Sequence, residues 1–320
     1  MSSVTKKILI TGGTGFVGTH LVQLLQQSAD HEIHVTSYGA TSESVLQMLG
    51  NVRVHKIDLT DQKATTDLLA KIQPHQIYHL ASFSSVADSL GNVKKVLENN
   101  IGLQVSLLEA VSEKCPSARI LIVSSAEVYG LSEDGENPIS ENHPLRPVNP
   151  YAVSKVTQDL LAFSYYKSKG LNIIRARPFN HSGAGQLAHF AVPSFAKQIV
   201  DIEKGAHPVL KVGNLQAIRD ISHVSDVVQA YVLLMERGSV GEVYNIGTGT
   251  GVSMSQVVET LIGLSDTQIT VEIDPDRLRP LDIPEMIANN EKITHLGWKP
   301  SHTLKDTLND VLSWYRTQED

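Results

Sequence analysis

Apolar residues recur through the first half of the chain in short runs with little polar alternation. KKILIT, EIHVTS, NVRVHKID, QIYHLA, ARILIVSS and LNIIRARPF are rich in Ile, Val and Leu, the pattern of strands buried on both faces. Between them, FVGTHLVQLLQQ, TTDLLAKI and NIGLQVSLLEAV repeat their apolar positions at helical spacing. Strands of this kind separated by helices predict an α/β fold, a doubly wound parallel sheet covered on both sides. From Phe179 the rhythm changes. FNHSGAGQ reads as a loop, FAVPSFAKQIVDIEKG as a helix and VLKVGN as a short strand. HVSDVVQAYVLLMERG and EVYNIG then return a helix and a strand to the sheet. ITVEID, an arginine–proline loop and an amphipathic helix, TLKDTLNDVLSWY, complete the chain. The predicted layout is a large domain over 1–178 plus about 216–250, and a smaller C-terminal domain over about 179–215 plus 251–320.

The first strand runs into TGGTGFVG and then a helix. Gly12, Gly15 and Gly18 let backbone N–H groups approach a pyrophosphate, which a helix N-terminus favours. Gly12, Gly15, Phe16, Val17 and Gly18 are therefore expected to hold a dinucleotide. Asp58 and Leu59 follow the third strand, where a carboxylate can accept from an adenine amino group. Leu80, Ala81 and Ser82 end the fourth. The second strand ends in VTSYG, which offers Thr36, Ser37 and Tyr38 where NAD sites commonly place an acid. The missing acid favours NADPH, so the expected cofactor is NADP(H) or NAD(H).

NPYAVSK sets Tyr151 and Lys155 four residues apart, one above the other on a helix face. A lysine ammonium beside a phenol favours phenolate, which predicts a lowered Tyr151 pKa. The pair could equally be an ordinary exposed tyrosine and lysine. What raises it above that is Ser125, which ends the preceding strand at the carboxyl edge where such sheets bind ligands. Serine, tyrosine and lysine together can polarise a carbonyl or alcohol oxygen while a hydride moves.

Bulk properties remove other classes. Among 320 residues with a net charge of −7 there is no basic cluster, so a nucleic-acid partner is not expected. No apolar run is long enough to span a membrane, and MSSVTKKILITGG carries no leader pattern. The single cysteine, Cys115, cannot pair internally and lies before Pro116, which points to a reducing cytoplasm and an inert thiol. Thirteen histidines are scattered without HExxH or Cys–His spacing, so no metal is expected.

TGGTGFVG, HLAS, SSAEVYG, YAVSK, RPFNHSGAGQ, RDISHVSD, YNIGTG and LRPLDIP follow one another across essentially the whole chain. In this order they resemble the extended short-chain dehydrogenase/reductase superfamily, in its nucleotide-sugar branch. The resemblance implies a Rossmann-type domain for NAD(P) and a smaller C-terminal nucleotide-sugar-binding domain, with a homodimer formed through a helix bundle. It adds Asn100 and Pro178 to the cofactor contacts and gives Lys155 a second role on the ribose. One departure is Leu103–Gln104 in place of a frequent Gly–Thr, which bears on helix packing.

In the sugar dehydratases of this branch a glutamate at the position of Glu127 removes a C5 proton while a neighbouring acid or hydroxyl expels water. Here that neighbour is Ala126, and epimerases often carry threonine at the glutamate position. Within the branch the chain is most similar to the GDP-4-keto-6-deoxy-D-mannose reductases, which implies NAD(P)H-dependent reduction of a C4 ketone. Ser125, Tyr151 and Lys155 would form the catalytic group, and Glu127 would accept a hydrogen bond from the sugar. A strand-end carboxylate paired with a cation is the plain alternative for Glu127. Expected substrate contacts are Ser84, Ser85, Glu127, Asn180, Lys197, Lys211, Arg219 and Arg279, with His181 beside them. The arginines would clamp a diphosphate, expected to be that of GDP, through their forked geometry; ion pairs with Asp220 or Asp282 are the rival account. GDP-mannose 4,6-dehydratase, a 4-epimerase and a non-catalytic dinucleotide sensor are the competing functions.

Overall fold

The computed structural model describes residues 5–133, 135–278 and 281–318. The first six strands are β1 (Lys6–Thr11), β2 (His31–Ser37), β3 (Arg53–Lys56), β4 (Gln76–His79), β5 (Arg119–Val123) and β6 (Asn172–Pro178). They are followed by β7 (Asn180–Ser182), β8 (Val209–Val212), β9 (Ile218–His223), β10 (Val243–Ile246), β11 (Gly251–Ser253), β12 (Thr270–Ile273) and β13 (Glu285–Met286). Helices α1 (Phe16–Leu25), α2 (Glu43–Leu49), α3 (Gln62–Ile72), α4 (Val86–Gly91), α5 (Val93–Lys114) and α6 (Pro150–Lys169) lie between the early strands. Later come α7 (Ala191–Glu203), α8 (Val224–Arg237), α9 (Met254–Ile262), α10 (Glu291–Thr294) and α11 (Leu304–Thr317).

The chain forms two compact units, residues 1–130, 144–177 and 228–244 in the first and 131–143, 178–227 and 245–320 in the second. The first is Rossmann-type. Its seven-stranded sheet has the order β10-β6-β5-β4-β1-β2-β3, with parallel pairing from β6 through β3. The chain winds from β1 outward to β3 and then restarts at β4 on the other side. The carboxyl ends of β1 and β4 therefore flank the switch point where such sheets leave a crevice. Leu9, Ile77, Ile120 and Ile122 of the strands pack with Leu69, Leu107 and Val111 of α3 and α5. Leu103 and Gln104 do serve packing: the buried Gln104 amide donates to the Gln158 carbonyl of α6 at 2.7 Å.

In the second unit β9 pairs antiparallel with β11 and parallel with β7 and β13, and β8 pairs parallel with β12. A separate core joins Phe195, Ile199, Leu210, Val257, Leu261, Leu308 and Leu312. Capping boxes set the starts of α9 and α11, at Ser253/Gln256 and Thr303/Asp306. One reading differs: FNHSGAGQ is not all loop, because Asn180–Ser182 hydrogen-bond along Ile221–His223. Three polar residues carry no strand periodicity of their own. No helix among the described residues is long and apolar enough to cross a membrane.

Candidate active site

β1 delivers the chain to Gly12, at a φ of +68° that suits glycine. A Cβ there would meet the Ala81 backbone at 3.0 Å, and one on Gly18 would meet the Gly12 carbonyl oxygen at 2.5 Å. The turn thus lies flat between the end of β4 and the start of α1. Gly15 is the N-cap of α1 and donates to the Gly12 oxygen at 3.0 Å, with Phe16 and Val17 in the first helical turn. Such bare backbone ending at a helix N-terminus fits the pyrophosphate of a dinucleotide.

The neighbouring residues divide into those free for a ligand and those already engaged. Thr36 accepts from the Gly12 N–H at 3.1 Å, Ser37 is buried, and Tyr38 is 75% exposed. The exposed Asp58 carboxylate accepts from the Thr60 N–H and hydroxyl at 2.9 and 2.7 Å, beside buried Leu59. Leu80 and Ala81 donate their N–H groups to Thr11, and Ser82 donates to the Phe83 carbonyl. Asn100 is spent on structure. Its amide accepts from the Phe83 N–H at 2.8 Å and donates to the Phe83 carbonyl and Ser154 hydroxyl. Pro178 is buried at the end of β6.

Ser125 follows β5, and its hydroxyl accepts from the Glu127 N–H at 3.2 Å and lies near the Tyr151 phenol. Tyr151 sits in the first turn of α6, which Asn149 caps and Pro150 opens. Burial raises the phenol pKa, the Ser125 bond opposes this, and the Glu127 charge adds to it. The expectation that Lys155 would lower the phenol's pKa is not met. The Lys155 Nζ stands 5.9 Å from the Tyr151 ring centre and donates to the Val123 carbonyl at 2.9 Å. With 4% exposure, Lys155 itself is pushed down to about 7 by burial, partly opposed by the Asp159 charge. Glu127 Oε2 accepts from the Asn149 amide at 2.9 Å, so its side-chain partner is neutral rather than cationic.

Sequence reasoning missed two groups behind these residues. Asp159, one turn beyond Lys155, accepts from Arg175 at 2.7 Å and from Arg177 Nε at 2.8 Å. Arg177 donates to the Tyr129 hydroxyl and lies over its ring. Burial pushes the Asp159 carboxyl up, and the two guanidiniums more than reverse it. RARP, two arginines spaced to one face of a buried strand, was the available signal. The other is His79, whose Nδ1 bonds Thr11 at 2.8 Å and which burial, with Lys155, holds neutral at about 3. Cys115 caps α5, its thiol pushed up to about 11 by burial, an inert form.

Ser84 is exposed and Ser85 caps α4. In the second unit Asn180 is exposed on β7, and His181 bonds the Phe179 carbonyl through Nδ1 at 2.9 Å. Lys197 pairs with Asp201 at 2.8 Å, and Lys211 is exposed on β8. Arg219 pairs with Asp282 at 2.9 Å, one of the ion pairs anticipated for it. Asp220 instead accepts from Thr248 and Gly249. Arg279 lies outside the described residues. Among the described residues no cluster of three or more His, Cys, Asp or Glu could hold a metal.

Residues 9–311 match the family described as GDP-mannose 4,6 dehydratase. The chain is 31% identical to the GDP-6-deoxy-D-mannose reductase of Pseudomonas aeruginosa, over 97% of each chain. It is 30% identical to the GDP-6-deoxy-D-talose 4-dehydrogenase of Aggregatibacter actinomycetemcomitans, over 91% of this chain and 90% of that one. The solved structure of RMD from Pseudomonas aeruginosa complexed with NADPH superposes with a TM-score of 0.85 at 29% identity, covering 98% of this chain and 99% of that one.

Proposed function

This chain belongs to the GDP-mannose 4,6 dehydratase family, as an NAD(P)-dependent oxidoreductase of the extended short-chain dehydrogenase/reductase type, and on that premise we propose that it reduces the C4 ketone of GDP-4-keto-6-deoxy-D-mannose to a GDP-6-deoxyhexose. GDP-D-rhamnose is the product we favour. The observation that carries this reading is Ala126. Between Ser125 and Glu127 the chain offers a buried methyl, where elimination of water would need a proton donor. The names of the two relatives, both redox enzymes of GDP-6-deoxyhexoses, support it.

The glycine turn from Gly12 to Gly18 holds the dinucleotide pyrophosphate, with Ser37, Asp58, Leu59, Ala81 and Ser82 placed along the same sheet edge. Bound nicotinamide supplies the hydride. Tyr151 gives its proton to the C4 oxygen, and its raised pKa keeps the phenol in the donor form near neutrality. Ser125 donates to that oxygen as charge develops on it. Lys155 anchors the cofactor ribose with the donors left after its bond to Val123. Glu127 accepts from a sugar hydroxyl, and Asn180, Lys211, Arg219 and Arg279 bind the nucleoside diphosphate. Val153, Leu160 and Phe163 are exposed along α6, and we assign that stripe to self-association.

The second reading is GDP-mannose 4,6-dehydratase, which the retained Glu127 carboxylate favours. The two separate in one cuvette. With GDP-4-keto-6-deoxymannose and NADPH, a reductase oxidises one NADPH per product, seen as loss of the reduced-nicotinamide absorbance. A dehydratase instead converts GDP-mannose with catalytic cofactor and takes deuterium from D₂O at C5. Water loss with deuterium gain overturns the reductase reading. The C3–C4 proton coupling of the product then distinguishes GDP-D-rhamnose from GDP-6-deoxytalose.

A further inference from the structure

Asn149 precedes the helix that carries Tyr151 and Lys155, and its side chain faces two ways. Oδ1 accepts from the Ala152 N–H at 2.8 Å, which caps α6. Nδ2 donates to Glu127 Oε2 at 2.9 Å. Asn149 is 8% exposed and Ala152 fully buried, so the capping bond is shielded from water, while the bond to the half-buried Glu127 is partly shielded. Two residues away on each side, Ser125 lies close enough to Tyr151 to oppose the rise of its pKa. The segment after β5 and the start of α6 are thus joined by the bond from Asn149 to Glu127, beside the place where Ser125 acts on the Tyr151 phenol.

Any of Ser, Thr, Asp or Asn can cap a helix, but few can also serve a carboxylate from the same position. Aspartate would repel it, and the short serine hydroxyl carries donor and acceptor on one oxygen, without the separate, diverging N–H donor that an amide supplies. A lysine or arginine would neutralise it. The neutral amide fixes one carboxylate oxygen, while Oε1 takes no hydrogen bond among the described residues. We infer that Asn149 is a positioning residue: it locks Glu127 to the helix bearing Tyr151 and Lys155, and turns Oε1 toward the substrate as an acceptor of fixed orientation. This rests on the reading of Glu127 as a sugar-hydroxyl acceptor.

The test is a double-mutant cycle of Asn149→Ser, which retains a capping oxygen, with Glu127→Ala. Reduction of GDP-4-keto-6-deoxymannose is measured together with thermal midpoints, the latter needing no substrate. Asn149→Ser should lower kcat/KM about tenfold through KM for the nucleotide sugar, leaving KM for NADPH unchanged. In the Glu127→Ala background the same change should cost less than about twofold, and the two substitutions should also be non-additive in thermal midpoint. Additive midpoints would overturn the inference by showing no tether. Coupled midpoints with independent effects on kcat/KM would overturn it too, leaving a strut without a role in substrate positioning. If Glu127→Ala alone leaves kcat/KM unchanged, the acceptor reading of Glu127 is what fails.

Discussion

Lys155 and Asp159 lie one turn apart on α6, both almost wholly out of water, and the protein treats their charges in opposite ways. Asp159, 0% exposed, has an Arg on each side, three charge-assisted hydrogen bonds between 2.7 and 3.1 Å, and a carboxyl held below its ordinary value. The two arginines also reach the Gly241 carbonyl, the Tyr129 hydroxyl and the faces of Tyr129 and Phe163. Among the described residues Lys155 has one carbonyl and no carboxylate in contact, and burial takes its pKa down to about 7. The difference separates scaffold from site. A buried charge whose partners are complete has no capacity for a ligand, whereas one left short of partners is stabilised when a ligand supplies them.

The largest effect should come from breaking the completed side. Asp159→Asn retains the shape and one acceptor but removes the carboxylate charge that two buried guanidiniums share. A loss of about 3–5 kcal/mol in unfolding free energy is expected, the range for removing one charge of a buried, hydrogen-bonded ion pair. Urea denaturation followed by circular dichroism measures it. A loss below about 1 kcal/mol would mean that the arginines' other contacts satisfy them without the Asp159 charge.

Next comes the site side. Tyr151→Phe removes the proposed proton donor while leaving the buried ring in place. Turnover should fall by roughly 10² or more, about 2.7 kcal/mol of barrier, with nucleotide-sugar affinity changed little. Stopped-flow oxidation of NADPH reports the first quantity and equilibrium titration the second. Unchanged turnover would remove Tyr151 from the mechanism.

The contrast also explains what the chain reveals before folding. Local pattern marks the elements of the first unit, because buried parallel strands are apolar throughout and a glycine turn has fixed spacing. Ser125, Tyr151 and Lys155 are readable for the same reason: a strand end and one helical turn place them. The short strands β7, β9, β11 and β13 escape, since pairing partners far along the chain define them. The Arg175–Asp159–Arg177 cluster escapes too. Its members are 16 and 18 residues apart, and only packing of α6 on β6 brings them together. The direction of the Tyr151 pKa was misread because helical spacing gives proximity to Lys155 but not burial. Burial is the larger influence on both groups.

The smallest effect sharpens the comparison most, because its sign is unusual. Lys155→Met should damage reduction, yet in the nucleotide-free protein it should raise the thermal midpoint at pH 6. The folded-state pKa of Lys155 is about 7, against about 10.4 in an unfolded chain. Between those values the unfolded state binds more protons, so the lysine's contribution to stability grows as pH rises and is lost as pH falls through 7. Below 7 the fold carries a buried ammonium at full cost. Methionine fills similar volume without charge, at the expense of the bond to the Val123 carbonyl. Its advantage should therefore be greatest near pH 6 and shrink by about 2–5 °C in relative midpoint by pH 9. Scanning calorimetry of both proteins across that range decides it. A midpoint difference that does not change with pH would show that Lys155 is as well satisfied as Asp159, and the distinction between the two charges would collapse.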